Sequence, residues 1–152
     1  MKIALGADHA GYRLKEEIAE HLRHSYEVMD CGANNSEDPV DYPDFGIKVA
    51  QAVRDGICNY GILICGTGVG MSITANKIHG IRAALCHTTQ MAKLCREHND
   101  ANILVLGARV IEPHIAIEMV DVFLATDFAG GRHEGRIRKI TQLEMEWEEV
   151  IR

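Results

Sequence analysis

The sequence predicts an α/β protein of three layers: a five-stranded parallel sheet, helices on both faces, and one further helix at the C-terminus. Three observations predict it. Short apolar runs alternate with amphipathic stretches from end to end, the runs read as strands buried on both faces, and the strand-then-helix pattern repeats five times in one short chain. With 152 residues, 47% hydrophobic and 25% charged, the chain has the size and usage of one domain spanning residues 1–152, which excludes disordered, collagenous and low-complexity classes.

Lys2–Ala7 is the first strand, its Ile3-Ala4-Leu5 core ending at Gly6. Leu14, Ile18 and Leu22 recur at helical spacing, with Lys15, Glu16, Glu17 and Glu20 on other faces, so a helix runs to about His24. Glu27–Cys31 follows as a second strand. Gly32–Pro43, rich in Asn, Asp, Ser, Glu and Pro, is a loop placed to shape a site mouth, and a helix spans about Tyr42 to Arg54. Gly61–Cys65 is the most apolar strand and runs through Gly66-Thr67-Gly68-Val69-Gly70 into a helix reaching Lys77. Ile81–Cys86, Thr88–His98, Ile103–Gly107 and Pro113–Ala125 continue as strand, helix, strand and helix, with Pro113 in a first turn, where proline is tolerated. Gly130-Gly131 breaks the chain before a last helix, about Arg132 to Val150, striped by Ile137, Ile140, Leu143, Trp147 and Ile151. That stripe can pack on its own sheet or on a partner. The whole is a Rossmann-like arrangement. Ligands in such sheets sit beyond the carboxyl ends of strands where strand order reverses, which directs attention to the loops after strands one and three.

A net charge of −6 argues against nucleic acid, whose affinity rests on clustered Lys and Arg. No apolar run approaches the roughly 20 residues needed to span a bilayer, and Met1-Lys2 leads into a strand and not a signal peptide, so the expected location is the cytoplasm. Cys31, Cys58, Cys65, Cys86 and Cys95 lack paired CxxC spacing, so neither a disulfide framework nor a zinc ribbon is expected. The nearest approach to a metal cluster, Cys86-His87 with Cys95 and His98, lacks the usual ligand loop, and no metal is expected.

Two glycine-rich junctions invite chemistry. Gly66–Gly70 lies between strand and helix, where small residues let backbone N–H groups approach an anion. Its glycine spacing does not fit a dinucleotide fingerprint, and no acidic ribose partner follows. Gly6-Ala7-Asp8-His9-Ala10-Gly11 has Walker-like glycines but continues Tyr12-Arg13, without the phosphate-gripping Lys and Ser or Thr. Cys65 stands at the carboxyl end of a buried strand just before a helix, where a thiolate is stabilised; the bland alternative is a packed thiol, and Thr67, Asp8 and His9 nearby shift the balance. Arg132 and Arg136, four apart beside His133 and behind Gly130-Gly131, can grip phosphate, with Arg109 at the carboxyl edge placed to join them; a solvated basic face is the commoner fate of such residues. His98-Asn99 ends a helix and in isolation reads equally as a solvated C-terminus.

Taken together, Gly-Ala-Asp-His-Ala-Gly at 6–11, Ile-Cys-Gly-Thr-Gly-Val-Gly at 64–70, Ala-Asn-Lys at 75–77, Arg-Glu-His-Asn-Asp at 96–100 and Gly-Gly-Arg-His at 130–133 carry a resemblance over essentially the whole chain. The sequence resembles type B ribose-5-phosphate isomerases, of the family that also holds galactose- and allose-6-phosphate isomerases. That resemblance implies a cofactor-free, metal-independent aldose–ketose isomerisation through an enediolate. It implies Cys65 as the base, Thr67 with the N–H groups of Gly66, Thr67, Gly68, Val69 and Gly70 at the oxyanion, and His98 opening the sugar ring with Asp8 assisting. Asn99 is implied at sugar hydroxyls, and His9, Arg109, Arg132 and Arg136 at the phosphate. Some members carry a Glu base where this chain has Met71, which places it with the Cys type. The resemblance further implies a homodimer or a dimer of dimers with sites shared between subunits. Open alternatives are a six-carbon sugar-phosphate isomerase and a noncatalytic sugar-phosphate module. A flavodoxin-like signalling module is disfavoured, since a phosphoacceptor Asp would have to stand where Cys65 does.

Overall fold

The computed structural model describes residues 1–151. Five strands, β1 (Lys2–Ala7), β2 (Glu27–Asp30), β3 (Tyr60–Cys65), β4 (Ala83–Leu85) and β5 (Ile103–Gly107), form one parallel sheet in the order β2-β1-β3-β5-β4. Six helices accompany them: α1 (Tyr12–Arg23), α2 (Tyr42–Arg54), α3 (Val69–Ala75), α4 (Thr89–Asn99), α5 (Pro113–Ala125) and α6 (Arg132–Ile151). The chain moves outward from β1 to β2 on one side, crosses to β3 on the other side of β1, runs on to the edge strand β4 and returns to β5 between β3 and β4. Strand order therefore reverses between β1 and β3, and the crevice above their carboxyl ends is the one the sequence pointed to.

Two apolar layers hold the sheet. On one face Ile3, Leu5, Ile62, Ile64 and Leu104 pack against Leu14 and Ile18 of α1, Ala92 of α4 and Met119 and Phe123 of α5. On the other, Ala4, Leu63 and Val105 meet Val49 and Val53 of α2 and Met71 and Ala75 of α3. The central strands have no wet face, which is why their sequences are unbroken apolar runs.

Three elements are shorter than the sequence suggests, and one residue explains two of them. α3 stops at Ala75 and not Lys77, because Asn76 turns its side chain to the sheet edge. Its amide accepts from the Ala83 N–H at 2.8 Å and donates to the Ala83 carbonyl at 2.9 Å. β4 is thereby capped on its open side and reduced to Ala83–Leu85, a common way of blunting an edge strand. β2 ends at Asp30, whose carboxylate receives the buried Lys15 ammonium at 2.6 and 2.7 Å and the Gly32 N–H at 2.9 Å.

α6 does not lie on the sheet. It starts against the end of α4 and runs beneath the amino edge of β4, where Glu144 accepts from the Gly80 N–H at 3.1 Å. Ile140, Leu143 and Trp147 stay 44%, 56% and 67% exposed, so the apolar stripe is not covered by this chain's own sheet. The side chain of Ile151, the last member of that stripe, lies outside the described residues. Among the described residues, no helix is long and apolar enough to cross a membrane.

Candidate active site

β3 delivers Cys65 to the carboxyl edge of the sheet, where the thiol is 5% exposed. The chain reverses sharply beyond it. Gly68 adopts φ +82, and a Cβ there would stand 3.2 Å from the Leu106 carbonyl oxygen, so glycine is required on both counts. This bend aims the Gly68 N–H at Cys65 Sγ, 3.2 Å away, and leaves Thr67 exposed at its tip. Thr67 Oγ1 accepts the Val69 N–H at 3.4 Å.

Neighbouring strand ends knit to this bend. The Ala108 N–H donates to the Cys65 carbonyl and the Arg109 N–H to the Gly66 carbonyl, both at 2.9 Å. The Arg109 guanidinium lies over the turn, with Nη1 3.0 Å from where a Cβ on Gly66 would stand. From β1, the Asp8 N–H donates to the Ile64 carbonyl at 3.3 Å, and the Asp8 carboxylate, 7% exposed, accepts the Gly11 N–H at 3.0 Å. His9 Nδ1 accepts the Val40 N–H at 3.2 Å, which fixes the polar loop at the crevice mouth. One crevice thus gathers Asp8, His9, Cys65, Gly66, Thr67, Gly68, Val69, Gly70 and Arg109. Met71 points away from it, buried against Gly46 of α2.

The other four expected residues are at the opposite edge. α4 begins beside the carboxyl end of β4 and so ends beside the amino end of the sheet. There the Asn99 carbonyl accepts from Arg82 Nε, and the Asn102 carbonyl accepts the Gly61 N–H at the start of β3. The register from Gly61 with Ile103 to Cys65 with Gly107 spans four residues of rise, about 3.3 Å each, so roughly 13 Å of sheet separates the two groups. His98 stacks on His133 at the start of α6, ring centroids 4.3 Å apart and 13° from parallel, and this contact carries Arg132 and Arg136 to the same edge. The expectation that Arg109 joins Arg132 and Arg136 therefore fails within one chain: a strand end and a helix end belong to opposite edges of a parallel sheet.

Three contributors have no role assigned to them by the sequence pattern. Tyr42, read only as a helix start, lays its ring on Gly70, where a Cβ would come within 2.5 Å of it. Arg96, 4% exposed, clamps the end of α4: it donates to Asp100 at 2.7 Å, the Ala101 carbonyl at 2.7 Å, the Thr126 carbonyl at 3.2 Å and the Tyr60 hydroxyl at 3.1 Å. His133, 7% exposed, is the ring on which His98 rests. The available signal for Arg96 was a lone basic residue on the apolar side of α4.

Burial pushes the pKa of His133 down from 6.5, and the positive groups of His98, Arg132 and Arg136 push it the same way against Glu97. A depressed native pKa means the unfolded chain takes the proton first. This contribution to stability is present above 6.5 and is lost as pH falls toward the native value. Urea midpoints measured downward from about pH 7.5 are expected to drop more steeply in the native sequence than in His133→Phe, which keeps a ring on His98 without a titrating group. Parallel slopes would remove His133 from the acid response.

The family model described as Ribose/Galactose Isomerase matches residues 3–140. The chain belongs to the ribose/galactose isomerase family. Over 144 residues it is 49% identical to ribose-5-phosphate isomerase B of Escherichia coli K12, covering 94% of this chain and 96% of that one. Among solved structures of the family, ribose-5-phosphate isomerase B of Clostridium thermocellum superposes with a TM-score of 0.94 at 55% identity, covering 97% of this chain and 99% of that one. The Mycoplasma genitalium ribose-5-phosphate isomerase B, solved with bound ribulose-5-phosphate, gives 0.91 at 44% identity over 95% of this chain and 97% of that one.

Proposed function

We infer that this chain interconverts ribose 5-phosphate and ribulose 5-phosphate, with Cys65 as the proton-transfer base. The observation that carries the reading is the Cys65 thiol in the switch-point crevice, its sulfur facing the Gly68 N–H, in a chain 44% identical to a relative solved with ribulose-5-phosphate. Cys65 takes the C2 proton of the open-chain aldose. The C–H electrons form a C1–C2 double bond, and the C1 carbonyl oxygen becomes the enediolate oxyanion, held by Thr67 and the N–H groups of the turn. The proton returns to C1, and the O2 proton passes to O1, leaving the ketone at C2.

Ring opening falls to His98, held by His133 and by the Arg96 clamp, with Asp8 assisting and Asn99 on sugar hydroxyls. His9, Arg109, Arg132 and Arg136 take the phosphate. Because Asp8, His9, Cys65 and Arg109 lie at the carboxyl edge of the sheet and His98, Asn99, Arg132 and Arg136 at the amino edge, the working site combines the carboxyl edge of one chain with the amino edge of its two-fold mate. A homodimer has two such sites, and pairs of dimers keep them. The uncovered stripe on α6 supports a partner there. The expected setting is cytoplasmic sugar-phosphate metabolism.

Turnover compared across ribose, allose and galactose phosphates tests the reading. Ribose 5-phosphate is expected to have the highest kcat/KM, and preference for a six-carbon phosphate would overturn the substrate assignment. Binding without turnover of any of them would leave the noncatalytic module. Arg132→Ala and Arg136→Ala should each weaken phosphorylated substrate by about 10- to 100-fold, as expected for a lost charge-assisted hydrogen bond of about 1.5–3 kcal/mol. Free ribose should change little, and equal losses on both sugars would assign these arginines to structure instead.

A further inference from the structure

Two thiols outside the site are brought together by the fold. Cys86 follows β4, Cys95 lies in the middle of α4, and both side chains belong to the same buried cluster and line the same hollow. Cys95 Sγ donates to the Ala92 carbonyl at 3.2 Å. Cys86 and Cys95, 1% and 7% exposed, both line a surface hollow of about 280 Å³ whose rim includes Met91, Leu94 and Asn99. They are half of the Cys-His set that the sequence offered as its nearest approach to a metal cluster. Among the described residues, no three His, Cys, Asp or Glu side chains gather to hold a metal ion.

We propose that Cys86 and Cys95 are an oxidisable dithiol that closes to an internal disulfide by exchange with a low-molecular-weight disulfide entering this hollow. In the first step the Cys95 thiolate attacks one sulfur of the small disulfide, forming a mixed disulfide and expelling one thiolate. In the second, Cys86 gives up its proton and attacks Cys95 Sγ, forming the Cys86–Cys95 bond and expelling the second thiolate. The protein loses two electrons and two protons, and the small disulfide becomes two thiols. No other oxidant is needed.

The order of attack follows from the surroundings. The facing Cys86 thiol and then Arg96 lower the Cys95 pKa against the opposing effect of burial, whereas the facing Cys95 and burial both raise Cys86. Cys31 and Cys58 are both pushed up, chiefly by burial, so they are poorer first attackers. In a reducing compartment such a pair is a transient, signal-responsive bond and not a structural staple. It would tether α4 to the edge of the sheet one helical turn ahead of His98.

The test uses Cys65→Ala protein, so that the thiol assigned to catalysis is absent, and reads bonds instead of turnover. Folded protein is exposed to excess 2-hydroxyethyl disulfide, quenched with iodoacetamide and digested with trypsin. Cleavage after Arg82, Lys93 and Arg96 places the two cysteines on separate peptides. The expected result is one linked pair of these peptides, two hydrogens lighter than the two thiol forms together, reversed by dithiothreitol. Adding Cys86→Ser should stop the reaction at a mixed disulfide on Cys95, and the unmutated chain should show the same link. Separate probe adducts on Cys86 and Cys95, no reaction at either, or links to Cys31 or Cys58 instead would overturn the proposal. Since no turnover is read, such a failure leaves the isomerase reading untouched.

Discussion

Cys65→Ala is expected to lower kcat for ribose 5-phosphate by at least about 100-fold, since a positioned general base contributes roughly 10²–10⁴ in rate. The loss should fall on kcat, with substrate binding nearly kept, because the proposed contacts to phosphate and hydroxyls come from His9, Arg109, Arg132, Arg136 and Asn99. The fold should survive. The sulfur accepts one backbone N–H at 3.2 Å and sits at the end of a strand whose inner residues, Ile62, Leu63 and Ile64, carry the packing. Removing it costs about 1 kcal/mol, the centre of the range for single substitutions. The decisive readout is exchange of the substrate C2 proton with solvent deuterium, which reports the proton transfer directly once the ring is open. Exchange and turnover at near-native rates in a folded Cys65→Ala protein would place the base elsewhere. Substrate protection of Cys65 against alkylation in the native chain is the complementary observation.

Much of this arrangement is legible in the chain because its causes are local or topological. β1, β3 and β5 announce themselves as continuous apolar runs since both of their faces are covered. Pro43 and Pro113 stand in the first turns of α2 and α5, where a missing N–H is harmless. The crevice follows from the order of elements alone, because a parallel sheet places every strand end on one edge. The same rule sends the end of α4 to the other edge.

What escaped the sequence is contact between segments that no periodicity connects. Asn76 shortens both α3 and β4 by reaching a strand seven residues away, a side-chain choice that propensity does not encode. His133 against His98, Tyr42 on Gly70, and Cys86 beside Cys95 each join elements whose relative placement depends on how helices settle on the sheet. Arg96 is the clearest case. An arginine on the buried side of a helix conflicts with the apolar pattern until its four acceptors and the rings of Tyr60 and Phe123, 4.9 and 5.7 Å from the guanidinium carbon, are in place.

The separation of Cys65 from His98 by the depth of the sheet leads to the sharpest expectation about assembly. Cys65→Ala and His98→Asn, each inactive or nearly so alone, should restore activity when their subunits are dissociated, mixed and reassociated. In a site built from Cys65 of one chain and His98 of its mate, a heterodimer has both lesions in one pocket and an intact pair in the other. Random reassociation makes about half of the dimers heterodimers, so about a quarter of all sites recover native chemistry. Sites contained within single chains would recover nothing, because every pocket would still hold one lesion. Sugar rings also open spontaneously, so the rate of His98→Asn alone is subtracted, and native mass spectrometry establishes that subunits have exchanged. Arg132→Ala paired with Cys65→Ala should behave in the same way, since Arg132 travels with His98 at the amino edge. Arg109→Ala paired with Cys65→Ala should not, because both lie on the carboxyl edge and every heterodimer pocket would keep one lesion. No gain above the summed parental rates for Cys65→Ala with His98→Asn, in subunits shown to have exchanged, would confine each site to one chain and leave the His98–His133 stack without a catalytic partner at Cys65.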